Sequence, residues 1–151
     1  MGDENNKKIG VGFGVMILKD NKVLLGHRHE DAKSASSDLH GEGSWTMPGG
    51  KLHFQESFEN GAKRESLEET GLILNKIEVI SLTNDIVFDN HYITLGFLCE
   101  DFSGEVKIME PEEITEWRWF DINNLPTPMY SVSLKIINNY LDKRFYKNIV
   151  N

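Results

Sequence analysis

The chain has 151 residues, 39% of them hydrophobic and 26% charged, which suits one soluble domain built around one core. Its net charge of −8 argues against a general affinity for nucleic-acid backbones, but leaves small phosphorylated substrates open, because a cation held by carboxylates supplies positive charge locally. No apolar run reaches the length of a membrane span, the leading MGDENNKK has no apolar signal core, and the lone Cys99 permits no internal disulfide, so a reducing cytoplasm is the expected compartment.

Residues 1–8 are polar and expected to be disordered, 9–145 to form the domain, and 146–151 to be a tail. IGVGFGVMILK and KVLLGHRH read as two strands joined by a turn at Asp20-Asn21. The alternating Gly10, Gly12 and Gly14 leave one strand face bare; close approach of a backbone or ligand and packing beneath a helix both account for that. Residues 30–44 form a small-residue polar loop, which either closes over a substrate or is passive. It ends at WTMPGG, and KLHF follows as a short strand. A helix is expected from about Glu56 to Thr70, closed by Gly71 in the left-handed conformation. IEVISLTND, HYITLGFLCEDF, EVKIME and EWRWFDINNL read as further strands. After a turn at residues 126–128, a last helix over about 130–142 places Leu134, Ile137 and Leu141 on one face. The pattern predicts one α/β domain with helices packed on a mixed sheet.

The first helix poses a problem. Phe58, Ala62, Glu65 and Glu69 fall within about 60° of one another on a helical wheel, with Glu68 to one side next to Arg64. Like charges at such spacings repel, and carboxylates in line with apolar anchors point toward the protein body, where an unpaired charge is costly. Arg64 alone cannot neutralise three glutamates. Bound Mg²⁺ or Mn²⁺ would, since hard cations take oxygen ligands from carboxylates and phosphates together.

Gly50, Glu56, Arg64-Glu65, Glu68-Glu69 and Gly71-Leu72 stand at the spacing GX5EX7REUXEEXGU, and this stretch resembles the Nudix box. Ser66 occupies a position where that family prefers an aliphatic residue. WTMPGG resembles the usual lead-in, and the order of elements resembles the family's α/β/α sandwich. The resemblance implies hydrolysis of a phosphoanhydride in a nucleoside diphosphate linked to a further group. It also implies that Glu65, Glu68 and Glu69, helped by the Gly50 carbonyl, bind metal, with one of them, Glu65 for instance, as general base. Arg64 and Glu56 would orient the cluster, and one further acid among Glu110, Glu112 and Glu113 would complete it.

The stretches VLLGHR, GSWTMPGG, HYIT and EPEEITEWRWF followed by NLP are most similar to MutT-like nucleoside triphosphate diphosphatases, including the branch acting on oxidised and thio-substituted guanine nucleotides. On that likeness Arg28 would contact phosphate, and Thr46, Met47, Gly49, Thr94 and Tyr130 would line the substrate pocket. Tyr130-Ser131-Val132 departs from the aromatic pair of the thiopurine branch. The expected reaction is conversion of a nucleoside triphosphate to the monophosphate and pyrophosphate. The alternatives are a dinucleotide polyphosphate, nucleotide sugar or ADP-ribose as substrate, or a noncatalytic nucleotide sensor. A small nucleotide is the expected partner, with no nucleic acid or membrane, and similar proteins are often homodimers. Trp117 and Trp119 share a strand face, which places at least one in the core; Trp45 reads as structural; and His27, His29, His40, His53 and His91 lack metal-ligand spacing.

Overall fold

The structure, a computed structural model, describes residues 7–31 and 41–148. The expectations for residues 1–6, for His40 and most of the polar loop (32–40), and for the last residues of the tail (149–151) lie outside the described residues.

Strand β1 (Gly10–Lys19) and strand β2 (Lys22–Arg28) form a hairpin whose two turn residues, Asp20 and Asn21, have φ of 51° and 64°. Both are residue types that tolerate the left-handed region, as a two-residue hairpin turn requires. Strands β3 (Trp45–Thr46) and β4 (Gly49–Lys51) are short, and helix α1 (Phe58–Thr70) follows. Two long strands, β5 (Ile73–Val87) and β6 (Asn90–Ser103), make an antiparallel hairpin. Strand β7 (Ile114–Asp121) and helix α2 (Ser131–Leu141) complete the fold.

The sheet runs β3-β2-β1-β6-β5, with β4 also on β1 and β7 also on β2. Among the strand pairs of the described residues only β1 and β6 run parallel, in register from Gly10↔Tyr92 to Ile17↔Cys99. On its other edge β1 forks. Its far end, Leu18 and Lys19, pairs with β2, while Gly12 to Gly14 pair with β4. The Val15 amide bridges the gap by donating to the Pro48 carbonyl at 2.7 Å. This fork brings the glycine face of β1, the Met47-Pro48 turn and α1 into one neighbourhood.

Period-two alternation along β1 feeds two cores. Phe13, Val15 and Ile17 join Leu24, Ala62, Phe97 and Cys99 on the α1 side. Met16 and Leu18 join Leu25, Trp45, Met47, Ile136 and Ile137 on the α2 side. The result is the expected α/β/α sandwich with a mixed sheet. Trp117 and Trp119 both pack against the α1-side core, and Trp45 is buried edge-on to Phe120, so it is structural.

Several expected boundaries are corrected. EVKIME is not a strand: residues 104–110 are irregular, and the Lys107 amide instead caps α1 by donating to the Thr70 carbonyl at 2.8 Å. The strand at KLHF lies earlier, at Gly49–Lys51, where it pairs with Gly12 to Gly14 of β1. Helix α1 begins at Phe58 rather than Glu56, with the Ser57 hydroxyl accepting the Asn60 N–H at 3.1 Å. Phe58 is not an anchor, being 45% exposed; the buried side of α1 is Gly61, Ala62, Ser66 and Thr70. Strand β5 starts at Ile73, four residues early, and three register shifts break its alternation. Strand β7 covers Ile114–Asp121, and the Asn123 amide turns back onto the Asp121 carboxylate, so INNL is not strand. Helix α2 buries Val132, Ser133, Ile136, Ile137 and Asn139, rotated from the expected face, and Leu141 is 41% exposed.

Candidate active site

Helix α1 brings its acidic residues to the fork in the sheet. Ala62, Ser66 and Thr70 seat it on the core, which leaves Glu65 and Glu69 half-buried at its flank and Glu68 exposed. The close approach of α1 to β4 depends on glycine. A Cβ at Gly49 would run into the Phe13 carbonyl, and one at Gly50 would stand 2.7 Å from the Glu65 carboxyl carbon. A side chain at Gly50 would push the Glu65 carboxylate off the strand, and one at Gly49 would push β4 off β1.

Arg64 organises the cluster. Its Nε donates to Glu56 Oε2 at 2.7 Å and its Nη2 to Glu56 Oε1 at 3.1 Å, a two-pronged pair. Its Nη1 reaches Glu65 Oε1 at 2.8 Å and Glu68 Oε2 at 3.4 Å. Hydrogen bonds from Arg64 first, then from the His53 amide, lower the pKa of Glu56 to about 2. Glu56 Oε1 also accepts the His53 N–H at 3.1 Å, so it fixes the loop before α1 as well.

Glu69 has the opposite environment. Burial first, then the charge and hydrogen bond of Glu65 and the charge of Glu110, hold its carboxyl well above the usual range, against one hydrogen bond from the Gly49 amide. Gly49, expected to face substrate, therefore has its N–H engaged by Glu69. Burial likewise raises Glu110, with Glu113 next, and raises Glu113, where Arg28 opposes it.

These side chains line one cavity of about 550 Å³ that includes Glu65, Glu68, Glu69, Glu110 and Glu113 but not Glu112. Among the described residues no three acids stand close enough to form a ready cage, since Glu65 and Glu68 are turned to Arg64. The donor set is nevertheless all oxygen, and burial, then repulsion from Glu65 and Glu110, disfavours the charged form of Glu69. A hard divalent cation relieves that repulsion, so the residues fit one.

The other end of the cavity is formed by Thr46, Met47, Thr94, Tyr130, Ser133 and Ile136. Thr46 and Thr94 are buried there. Ser133 ties α2 to β3: its hydroxyl accepts the Met47 N–H at 3.1 Å and lies 3.0 Å from the Thr46 hydroxyl. Arg28 is 8% exposed, donates from Nε to the Gly41 carbonyl at 3.1 Å, and lies 5.0 Å from the centre of the Tyr130 ring. The structure thus gathers Gly50, Glu65, Glu68, Glu69, Arg28, Thr46, Met47, Gly49, Thr94 and Tyr130 on one cavity, with Arg64 and Glu56 behind it. Sequence reasoning missed Ser133, Ile136, Tyr92 and Lys51, which also line it. Ser133 carries no local signal, because a serine in the first turn of a helix is ordinary; only tertiary packing aims it at Met47.

The NUDIX domain family matches residues 8–140 of the chain. An ADP-ribose pyrophosphatase of Methanocaldococcus jannaschii is 31% identical over 128 residues, covering 83% of this chain and 69% of that protein. An NAD-capped RNA hydrolase, NudC, of Actinobacillus succinogenes is 35% identical over 132 residues, 85% of this chain and 47% of that one, so the chain spans about half its length. An oxidized purine nucleoside triphosphate hydrolase of Danio rerio is 29% identical over 116 residues, covering 74% and 66%. A MutT NUDIX hydrolase from Burkholderia pseudomallei is structurally similar at a TM-score of 0.78 with 27% identity, covering 87% of this chain and 98% of that one.

Proposed function

The chain belongs to the Nudix family, whose members generally use divalent metal ions, and from that premise we propose that it hydrolyses nucleoside triphosphates to the monophosphate and pyrophosphate. One observation carries the reading. A single cavity joins the carboxylates of α1 to an end lined by Thr46, Met47, Thr94 and Ile136. Its 550 Å³ is the size of small-ligand sites, typically about 300–1,000 Å³. A nucleotide laid along it would place its base between Met47 and Ile136 with Tyr130 at the rim, and its phosphates over Glu65, Glu68 and Glu69.

In this reading Glu65, Glu68, Glu69 and the Gly50 carbonyl would hold Mg²⁺ or Mn²⁺, with Glu110 the nearest further acid. When bound, such a cation supplies positive charge to phosphate oxygens and acidifies water. One of these three glutamates, in place of ligating, takes the proton of the attacking water, and Arg64, fixed by Glu56, positions Glu65. Arg28 places its cation on the phosphates at the cavity wall. The α,β-phosphoanhydride bond breaks, and the incoming hydroxyl joins one fragment. Modified purines are the preferred bases on the likeness to the oxidized purine enzyme of Danio rerio.

A second reading, with ADP-ribose or another nucleoside-diphosphate-linked substrate, is favoured by the 31% identity to the Methanocaldococcus enzyme. Products separate the two. Initial rates with triphosphates, oxidised triphosphates and ADP-ribose, assayed separately for pyrophosphate and for AMP, should give pyrophosphate from triphosphates and none from Glu69→Gln. Turnover of ADP-ribose alone would replace the first reading with the second.

A further inference from the structure

A second cavity, of about 210 Å³, opens along another side of α2. Thr83 of β5, Lys135 and Asn138 of α2, and Arg144, Tyr146 and Lys147 of the following segment form its walls. None of its lining residues is acidic, and three are cations, in a chain of net charge −8.

Two of the cations are held in place. Lys135 Nζ donates to Asp85 Oδ1 at 2.8 Å, and the fully buried Asp85 also accepts the Thr83 hydroxyl at 2.7 Å. Arg144 Nε donates to Asn139 Oδ1 at 3.0 Å, and its Nη1 pairs with Asp142 at 2.9 Å. Lysine has three N–H donors and arginine five, so each keeps donors in reserve. Lys147 and the Asn138 side chain make no hydrogen bond or ion pair with any described residue. The cavity therefore concentrates N–H donors around Lys147, the one lining cation with no carboxylate partner among the described residues, while Asp85 and Asp142 hold Lys135 and Arg144 at its wall.

We propose that this cavity binds a small phosphate-bearing anion of one or two phosphoryl groups. Guanidinium, ammonium and amide donors match the acceptor oxygens of phosphate. The volume equals that of about seven water molecules at roughly 30 Å³ each, and falls below the ~300 Å³ at which drug-sized ligand sites begin. A volume of this size suits orthophosphate or pyrophosphate. Ser133 and Ile136, which line the larger cavity, lie within one turn of Lys135 on the same helix, so an anion here would bear on α2 directly. The proposal holds whichever substrate the active site takes.

The test is titration of isotope-labelled protein with orthophosphate and, separately, pyrophosphate. EDTA is present and sodium chloride holds the ionic strength fixed. The side-chain amide resonances of Asn138 and Asn139 report on the cavity. Saturable shifts are expected with one or both anions at about millimolar concentration. Lys147→Gln, at an exposed side chain that leaves the fold alone, should weaken the affinity by about threefold to tenfold, the range of a single charge-assisted contact. Arg144→Gln should weaken it further. Which anion saturates first tells one phosphoryl group from two. No saturable shift with either anion overturns the proposal, and so does wild-type affinity in Lys147→Gln. Shifts confined to the neighbourhood of Arg28 and Glu69 would put the anion in the larger cavity and overturn it as well.

Discussion

Replacing Gly50 by alanine adds one methyl group at the tightest point of the site. Gly50 pairs with Phe13 on β1, and its backbone needs no left-handed conformation, so the strand accepts alanine. The three atoms nearest its Cβ all belong to Glu65, at 2.7 Å from Cδ, 2.8 Å from Oε1 and 3.0 Å from Cγ. An ordinary contact begins at 3.4 Å, so the carboxyl group must retreat by roughly 0.7 Å. Arg64 grips the same Oε1 at 2.8 Å, so the retreat either stretches that pair or drags Arg64 from Glu56. Displacements near 1 Å at reacting groups cost on the order of 100-fold in rate. Gly50→Ala should therefore lower kcat by about 30- to 100-fold. KM should change little, since the far end of the cavity is untouched, and Tm should move by less than about 2 °C. Initial rates of pyrophosphate release and a thermal melt on the same preparation check both. A kcat within about twofold of wild type would refute the reasoning that this contact sets the Glu65 position.

The buried Ser66 hydroxyl has no hydrogen-bond partner among the described residues, so Ser66→Ala should raise stability by about 1–2 kcal/mol, or Tm by roughly 2–8 °C, with turnover unchanged; a fall in Tm would show that the hydroxyl is satisfied. Glu69→Gln should separate stability from activity: the metal-free protein gains Tm, because no charge is then buried and repulsion from Glu65 and Glu110 is relieved, while turnover drops by more than about 100-fold. Glu56 has a folded pKa of about 2 against an ordinary 4.5, so its share of stability is present above pH 4.5 and lost as pH falls toward 2. Glu56→Gln should therefore be less stable than wild type at neutral pH and converge with it in acid, as urea melts across that range would show. Adding a divalent cation at 100 times its Kd should stabilise the wild-type protein by about 2.7 kcal/mol, and a melt with and without EDTA should show no such gain in Glu65→Gln.

The strands and helices that carry strong periodicity or a clear stop were legible in the chain. Gly71, with φ of 77°, ends α1 as its residue type required, and the glycine face of β1 did mark the place where another backbone and a cavity meet. Phe58 misled because the wheel gives spacing and not the angle at which the helix is seated; the small Gly61, Ala62 and Ser66 set that angle by allowing close approach. EVKIME alternates like a strand but pairs with none, and its Lys107 amide is committed to the Thr70 carbonyl at the end of α1. The acidic box was readable because its chemistry is local to one helix. The far end of the cavity was readable only in part. Thr46 and Thr94 sit on strands and Met47 directly follows one, whereas Ser133 and Ile136 reach the cavity from a helix some ninety residues away from Thr46 in sequence, and no local pattern encodes that meeting.

The central claim is that the carboxylates of α1 and the Thr46–Ile136 end of the same cavity act on one nucleoside triphosphate. The most direct measurement is phosphate release from a nucleoside triphosphate with Mg²⁺, with and without added inorganic pyrophosphatase. The account predicts phosphate only when pyrophosphatase is present, alongside stoichiometric nucleoside monophosphate, and neither product from Glu69→Gln. Phosphate released without pyrophosphatase, or an unchanged rate in Glu69→Gln, would contradict it.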